Sequence, residues 1–585
     1  MRGCARSTID TIHVRSSGLK RTALLLAVIA GGLGAAVTML LPPLAAAPVT
    51  ATFEHSTITV RGAYHVHSNR SDGTGSLDEI AAAAATAGLD FVIVTDHGDG
   101  TRQSEPPVYR SGVLCLDGVE ISTQSGHYVA LGMNRAPYPL AGHPSEVIED
   151  VRRLGGFGFA AHPGSPKADL RWDSDAAFDG LEWLNADSEW RDEFLHSLGR
   201  VLLTYPFRPT ETLAGLLDRP DEVLQRWDQA IASRRVPAIS AADAHARLGL
   251  GPGGDPYEDR IVARVPSYET SFRAFANHVV IDRVFSGDAA ADAATLLHGI
   301  REGRMFTSIE GLARLSAFEA RAMSGPASAR LGEYLDLQGP AVINTRVAAP
   351  VGTTLVIRRD GVVLHEVVSD TMTIEVGVQP GAYRIEAYLP EALRGPSSVP
   401  WILTNPVYIG LRTLHQRPAD TAPQVGSDRM PITTAAWQAE ASTDSESSLA
   451  PGALGDGTPS LDWRFKLSAG DRRQQYAAIR FPLDPAQRSR ERLQLRMTSD
   501  VPRRLWVQLR APGSRDGERW GKTFYVDAGL RLIEVRFGDL RPIGAVSTER
   551  PPLERMDSLL LVVDTLNSHP GTTGLLQITD LWLAR

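Results

Sequence analysis

The chain has 585 residues, too long for one ordinary domain, so roughly three to five folded units are expected. Hydrophobic residues at 43% and charged residues at 22% exclude wholesale disorder, and a net charge of −8 excludes the basic domain that a nucleic-acid binder needs. Two cysteines, Cys4 and Cys115, exclude a disulfide framework and a thiolate zinc cluster, so any metal must be held by histidines and carboxylates.

Residues 1–21 form a basic region with Arg2, Arg6, Arg15, Lys20 and Arg21, followed by the uncharged run TALLLAVIAGGLGAAVTMLL over 22–41. A run of about twenty such residues can cross a bilayer, with its basic flank left in the cytoplasm. A cleavable signal is the competing reading, since Ala45, Ala46 and Ala47 are small, although Pro48 should impede cleavage. Both readings export everything after residue 48. The expected location is the cell envelope, membrane-anchored by the N-terminal helix, or secreted or periplasmic if the segment is cleaved.

Residues 42–56 read as a linker. From 57 to 312, short apolar β-type runs alternate with helical stretches: 61–67, 91–97, 113–121, 127–133, 157–162, 180–184 and 236–243 are the expected strands. Between the first two, SLDEIAAAAATAGLD predicts a helix with Ser76 as N-cap, Glu79 closing a capping box and Gly88 as the stop. This spacing predicts an α/β parallel sheet or barrel. Over 313–412 the helical signals fade. TLVIRRDGVVLHEVV predicts a hairpin turning at Asp360-Gly361, and GAYRIEAYL a strand, which together suggest a small β-sandwich. Residues 413–430 read as a linker, and 431–585, with LWVQLR, KTFYVDA, LRLIEVRF and SLLLVVDTL, as a second all-β unit.

Metal-type ligands follow the apolar runs of the first unit. His65 and His67 end the first run, with Asp72 in the SDG turn behind them. His97 closes VIVTDH, Glu120 sits in DGVEIS, and His127 opens HYVALG. His162 lies in AAHPG, and Asp243 and His245 lie in AADAHA. Alternation along a strand would point both imidazoles of a His-x-His pair to one face, and in an α/β barrel the strand ends converge on one mouth. Histidine with carboxylate suits zinc, manganese or iron, and a carboxylate such as Glu120 can bridge two ions.

YHVHSNRSDG, FVIVTDHGDG, GVEIS, GHYVALG, AAHPG and AADAHA, in this order over residues 60–310, resemble the motifs of the PHP (polymerase and histidinol phosphatase) superfamily. GRMFTS at 303–308 and PWILTNPVYIGL at 400–411 look like the tail of its carbaryl-hydrolase-like branch, in which a small β-sandwich follows the barrel. The resemblance implies a distorted (β/α)7 barrel holding two or three divalent metals. By motif, His65, His67, Glu120 and Asp243 would form one site. Glu120 would bridge to a second completed by His127 and His162, and Asp72, His97 and His245 would hold a third. Glu120, Asp243 and His245 are the expected catalytic residues. Asp72 stands where some family members have histidine, and the motif around His127 is only a Gly-His before an apolar run.

Arg70, Lys167 and Arg247 flank these motifs and are candidate substrate-binding cations, though surface cations are commonly just solvated. Glu182 and Asn185 in DGLEWLN resemble a recurrent family stretch that could support the mouth. The last unit loosely resembles galactose-binding-like, jelly-roll carbohydrate modules. Its Trp437, Trp463, Trp506, Trp520 and Trp582 would serve mostly as core, or stack on a polysaccharide. The expected activity is an exported metal-dependent hydrolase, first a phosphoesterase using a hydroxide that bridges the metals. The alternatives are an amide, carbamate or ester hydrolase on the same metals, or a non-catalytic envelope-surface protein that binds glycans.

Overall fold

Ser76 starts the first helix as the pattern predicts. Its hydroxyl accepts from the Glu79 amide while the Glu79 carboxylate accepts from the Ser76 amide, closing a capping box on α1 (Leu77–Thr86). Gly88 then takes a φ of +74°, which a residue without a Cβ adopts freely. The computed structural model describes residues 40–585 except 55–56, 175, 192–194, 251–259, 396, 416–427, 471–474 and 514–516. The apolar run 22–41 therefore lies outside the described residues but for its last two, as does most of the 413–430 linker. Among the described residues no helix is long and apolar enough to cross a membrane.

The first unit is built on a ring of backbone-paired strands. β1 (Ile58–Val66) runs parallel to β2 (Phe91–Val94). The short β3 (Val108–Arg110) lies antiparallel on the outer edge of β4 (Val113–Asp117), which is parallel to β2. The single run expected over 113–121 breaks at Gly118 into β4 and β5 (Val119–Ser122), which belong to different sheets. β6 (His127–Leu131) is antiparallel to β5 and to β7 (Phe157–Ala160), whereas β7, β8 (Gly180–Asn185) and β9 (Ala238–Ala241) are parallel. The chain after β9 returns to β1: the Ala242 amide donates to the Tyr64 carbonyl at 2.9 Å and the His67 amide to the Ala244 carbonyl at 3.0 Å. The first half of β1 instead pairs antiparallel with β10 (Ala276–Ile281), which continues to β11 (Met305–Ser308) and on to Ile402–Thr404 of the small sandwich.

Alternation sorts the side chains into two cores. Ile93, Leu116, Val129 and Phe159 pack with Tyr64 and with Leu296 and Ile300 of a later helix (Ala289–Arg301). The opposite strand faces pack against α1, α2 (Pro144–Arg153) and a helix at Asp221–Ile231, through Ile80, Val147, Val151 and Trp227. Between that last helix and β8, the chain makes α3 (Ala186–Arg191), α4 (Leu195–Thr204) and a short helix at Pro209–Ala214. The second core runs on without a break into Ile343, Leu355, Ile385 and Trp401 of the small sandwich. There the predicted hairpin joins Thr354–Arg359 to Val362–Val368 through Asp360 and Gly361, both with positive φ.

In the last unit two six-stranded sheets enclose a separate core that includes Trp437, Trp463 and Trp520. Trp506 is buried in a smaller cluster, and Trp582, half-buried, lies under the Arg429 guanidinium. This unit is docked on α2. Arg504, wholly buried, donates to Asp150 at 2.7 Å and to Glu149 at 2.7 Å, and the Thr523 amide donates to Glu146. Taken together, this is a sheet-rich α/β chain with β-sandwich-like sheets following the strand–helix unit.

Candidate metal centre

The strand ends of the ring bring all nine ligand-type residues to one place, but regular alternation is not what aims the first pair. Tyr64 already points into the apolar core, so on an ideal strand its neighbour His65 would point away. His65 instead takes a φ of +61°, and the β1–β2 register shifts between Ala63 and Val66. His162 and Asp243 also adopt positive φ, at +32° and +42°. Each such non-glycine residue stores on the order of 1–3 kcal/mol, which the surrounding packing must hold. The backbone is bent where the ligands need to turn inward.

Glu120 is the hub. Its Oε2 lies 3.2 Å from the Nε2 of His65, the Nε2 of His67 and the Nδ1 of His97. Its Oε1 lies 2.7 Å from His127 Nδ1 and 3.0 Å from His162 Nε2. Asp243 Oδ1 approaches the Nε2 atoms of His65 and His67 at 3.5 and 3.3 Å. Asp72 faces a second side of the cluster, 3.4 Å from His67 Nδ1, 3.8 Å from His97 Nε2 and 3.2 Å from His245 Nε2. Three sets are therefore close enough to share an ion: His65, His67 and Asp243; His97, Glu120 and His127; and His67, Asp72, His97 and His245.

The donor chemistry fits a metal. His65 Nε2, His67 Nε2 and Glu120 Oε2 are buried and make no sound hydrogen bond, a state that is costly unless a cation sits among them. The outer nitrogens explain the orientation of the rings. His65 Nδ1 donates to Glu182 at 2.6 Å, His162 Nδ1 to the Leu170 carbonyl at 2.9 Å and His245 Nδ1 to the Asp243 carbonyl at 2.9 Å. These partners accept, so in all three rings Nε2 is left with its lone pair toward the cluster.

Electrostatics follow from crowding. Burial would raise the Glu120 carboxyl, but His65, His97 and His127 hold it well below the usual carboxylate range. Asp243 is lowered in the same way against His65, His67 and His245, and Asp72 against His245, His67 and His97. Burial opposes protonation of His67 and His162, yet their carboxylate partners raise them to about 10 and about 9. At His97 burial prevails and lowers the ring.

The three candidate cations fare differently. Arg70 is taken up by Asp96 at 2.9 Å, Glu105 at 3.0 Å and Asp117 at 2.7 Å, which neutralises it. Arg247 donates to the Asp72 carbonyl at 3.2 Å, and Lys167 is exposed on the loop after His162. Sequence reasoning missed Arg191, at the end of α3. It is ion-paired with Asp187 one turn earlier; burial would lower its guanidinium, but Asp187, and behind it Asp243 and Asp72, raise it. Nothing local marks it, since it falls outside every motif. Asp96 accepts from the Ser68 amide and from the hydroxyls of Ser68 and Ser71, bracing the first motif. A cleft of about 110 Å³ opens beside His97, between Arg102 and Asn134. The larger groove, about 520 Å³, lies on the small sandwich and shares no residue with the cluster.

No family model matches the chain. An uncharacterised protein of Methanocaldococcus jannaschii is 32% identical over 111 residues, which is 18% of this chain and 64% of that relative. The chain thus spans just under two thirds of the curated relative it matches. Among solved structures, the chain is similar to a two-domain protein from Bacteroides vulgatus containing a predicted PHP-like metal-dependent phosphoesterase. The two are 12% identical, with 62% of this chain and 98% of that one covered and a TM-score of 0.26. It is also similar to a family 11 carbohydrate-binding module from Clostridium thermocellum in complex with a mixed-linked tetrasaccharide, at 12% identity, 27% and 97% coverage and a TM-score of 0.22. These TM-scores are too low to carry a function across, and the chemistry rests on the side chains themselves.

Proposed function

We propose that the chain is an exported metal-dependent phosphoesterase whose catalytic unit is a distorted (β/α)7 barrel. The observation that carries this reading is the trio of buried, unpartnered ligand atoms on His65, His67 and Glu120, enclosed by the six further ligand-type side chains. Divalent ions held there would supply a water of lowered pKa and a Lewis acid for the phosphoryl oxygens.

The chain's own residues do the rest. Glu182 and the two carbonyls keep three imidazoles in the tautomer that presents Nε2. The Asn185 amide donates to Asp243 at 3.1 Å and to Glu182 at 2.9 Å, keeping both carboxylates in place. Lys167 and Arg247, on the loops after His162 and His245, together with Arg191 beside its partner Asp187, favour an anionic substrate. For that reason a phosphoester is preferred to a neutral amide or carbamate. The basic flank and the apolar run 22–41 support export and anchoring.

Purified full-length chain should contain two or three equivalents of zinc, manganese or iron per molecule and turn over a generic phosphoester faster than carbamates or amides. Metal-loaded protein that hydrolyses only carbonyl substrates would overturn the choice of substrate. Protein that retains metal but turns over neither class would point to a binding protein. Glu120→Gln should remove activity by far more than deletion of the last unit does, because Glu120 touches both halves of the cluster.

A further inference from the structure

Among the described residues of the strand–helix unit, α4 and the turn after it leave a group of large apolar side chains in water. On α4, Val201 and Thr204 are buried, but Leu202 is 76% and Leu203 44% exposed, and Phe207 in the following turn is 65% exposed. Isolated exposed leucines are ordinary, whereas a contiguous apolar surface marks an interaction site.

What this surface meets is indicated by the segment that reaches it. Arg200 on α4 donates to the Leu40 carbonyl at 3.3 Å, and Arg208 donates to the Pro42 carbonyl. Leu40 and Leu41 are the last residues of the uncharged run that begins at Thr22, which is long enough to span a bilayer. If that run spans the bilayer, its end lies directly beside α4. Leu40 and Leu44 are themselves exposed. Two arginines, whose stems can lie along lipid while their heads stay in water, border the α4 surface.

We propose that the apolar face of α4 and its following turn, with Leu202, Leu203 and Phe207, lies on the lipid bilayer at the point where the 22–41 run emerges. The catalytic unit is then seated on the membrane rather than tethered at a distance. α3 follows directly on Asn185, whose side-chain amide touches Asp243, and α4 comes next in the chain. The inference rests on the membrane-spanning reading of the N-terminal run and is independent of what the metal centre hydrolyses.

The test uses the full chain carrying Cys4→Ser, which leaves only the buried Cys115 thiol. Leu203→Cys, Phe207→Cys and, as a control, Val351→Cys at a site 99% exposed on the small sandwich are each labelled with an environment-sensitive fluorophore. The protein is reconstituted into phosphatidylcholine–phosphatidylglycerol vesicles. Brominated lipid should quench positions 203 and 207 roughly twofold and leave 351 unchanged, while aqueous iodide quenches only 351. Iodide quenching at all three positions overturns the proposal. So does shielding from iodide without quenching by brominated lipid. Energy transfer between labelled copies would then identify a second copy as the cover, and its absence the chain's own N-terminal segment.

Discussion

Glu182 touches three parts of the metal centre at once: the His65 ring, the His162 amide at 2.7 Å and the Asn185 side chain. It contacts no open space and acts through His65, so it is a positioning residue. Glu182→Gln keeps the shape but can present its amide nitrogen to His65 Nδ1, removing the acceptor that fixes the tautomer. Metal affinity measured by chelator competition should fall by about 10–100-fold, and Glu182→Asp should recover part of it. An unchanged affinity would mean the carboxylate serves packing alone. The raised rings predict a pH effect in the metal-free chain. His67 and His162 rise from 6.5 to about 10 and about 9, so the stability they contribute is fully present below pH 6.5 and is lost as pH climbs through those values. Metal-free protein should therefore melt progressively lower between neutral pH and about pH 10, and metal binding at pH 7 should release protons, read by calorimetry in buffers of different ionisation enthalpy.

At the scale of elements, the turn after β1 is held from both ends. The Tyr268 hydroxyl donates to the His67 carbonyl at 2.7 Å and accepts from the Gly75 amide at 3.0 Å. Gly73 passes so close that a Cβ would overlap the His67 carbonyl and come within 2.9 Å of that hydroxyl. Gly73→Ala should destabilise the fold by about 1–3 kcal/mol by overpacking and loosen the set around Asp72. Thermal melting together with metal stoichiometry checks this; loss of one metal equivalent with the others retained is the expected pattern. The capping box of α1 and the Asp360-Gly361 hairpin were legible because each depends on a few neighbouring residues. The break at Gly118 and the left-handed turn at His65 were not, because they arise from joining strands distant in sequence.

For the molecule as a whole, the buried Arg504 decides how the last unit relates to the rest. Beside the donations to Asp150 and Glu149, Asn567 donates to the Pro139 carbonyl at 2.9 Å, and the Arg153 guanidinium lies 3.6 Å from the Tyr525 ring centre. Arg504→Leu leaves Asp150 buried with less compensation and should cost about 3–5 kcal/mol. Ending the chain near residue 415 returns the same acids to water, so the truncated protein should melt higher than the point variant and keep its metal; the reverse order would refute this account. The sequence by itself determined which residue types could bind metal, their order along the chain and the caps and turns between them, since those depend on composition and near neighbours. Only the tertiary structure decided that His97 reaches Glu120 as well as Asp72, that Arg70 is neutralised by Asp96, Glu105 and Asp117, and that Arg504 clamps the last unit to α2. Each of these depends on charges brought within a few ångströms from distant parts of the chain, and burial makes such pairings strong.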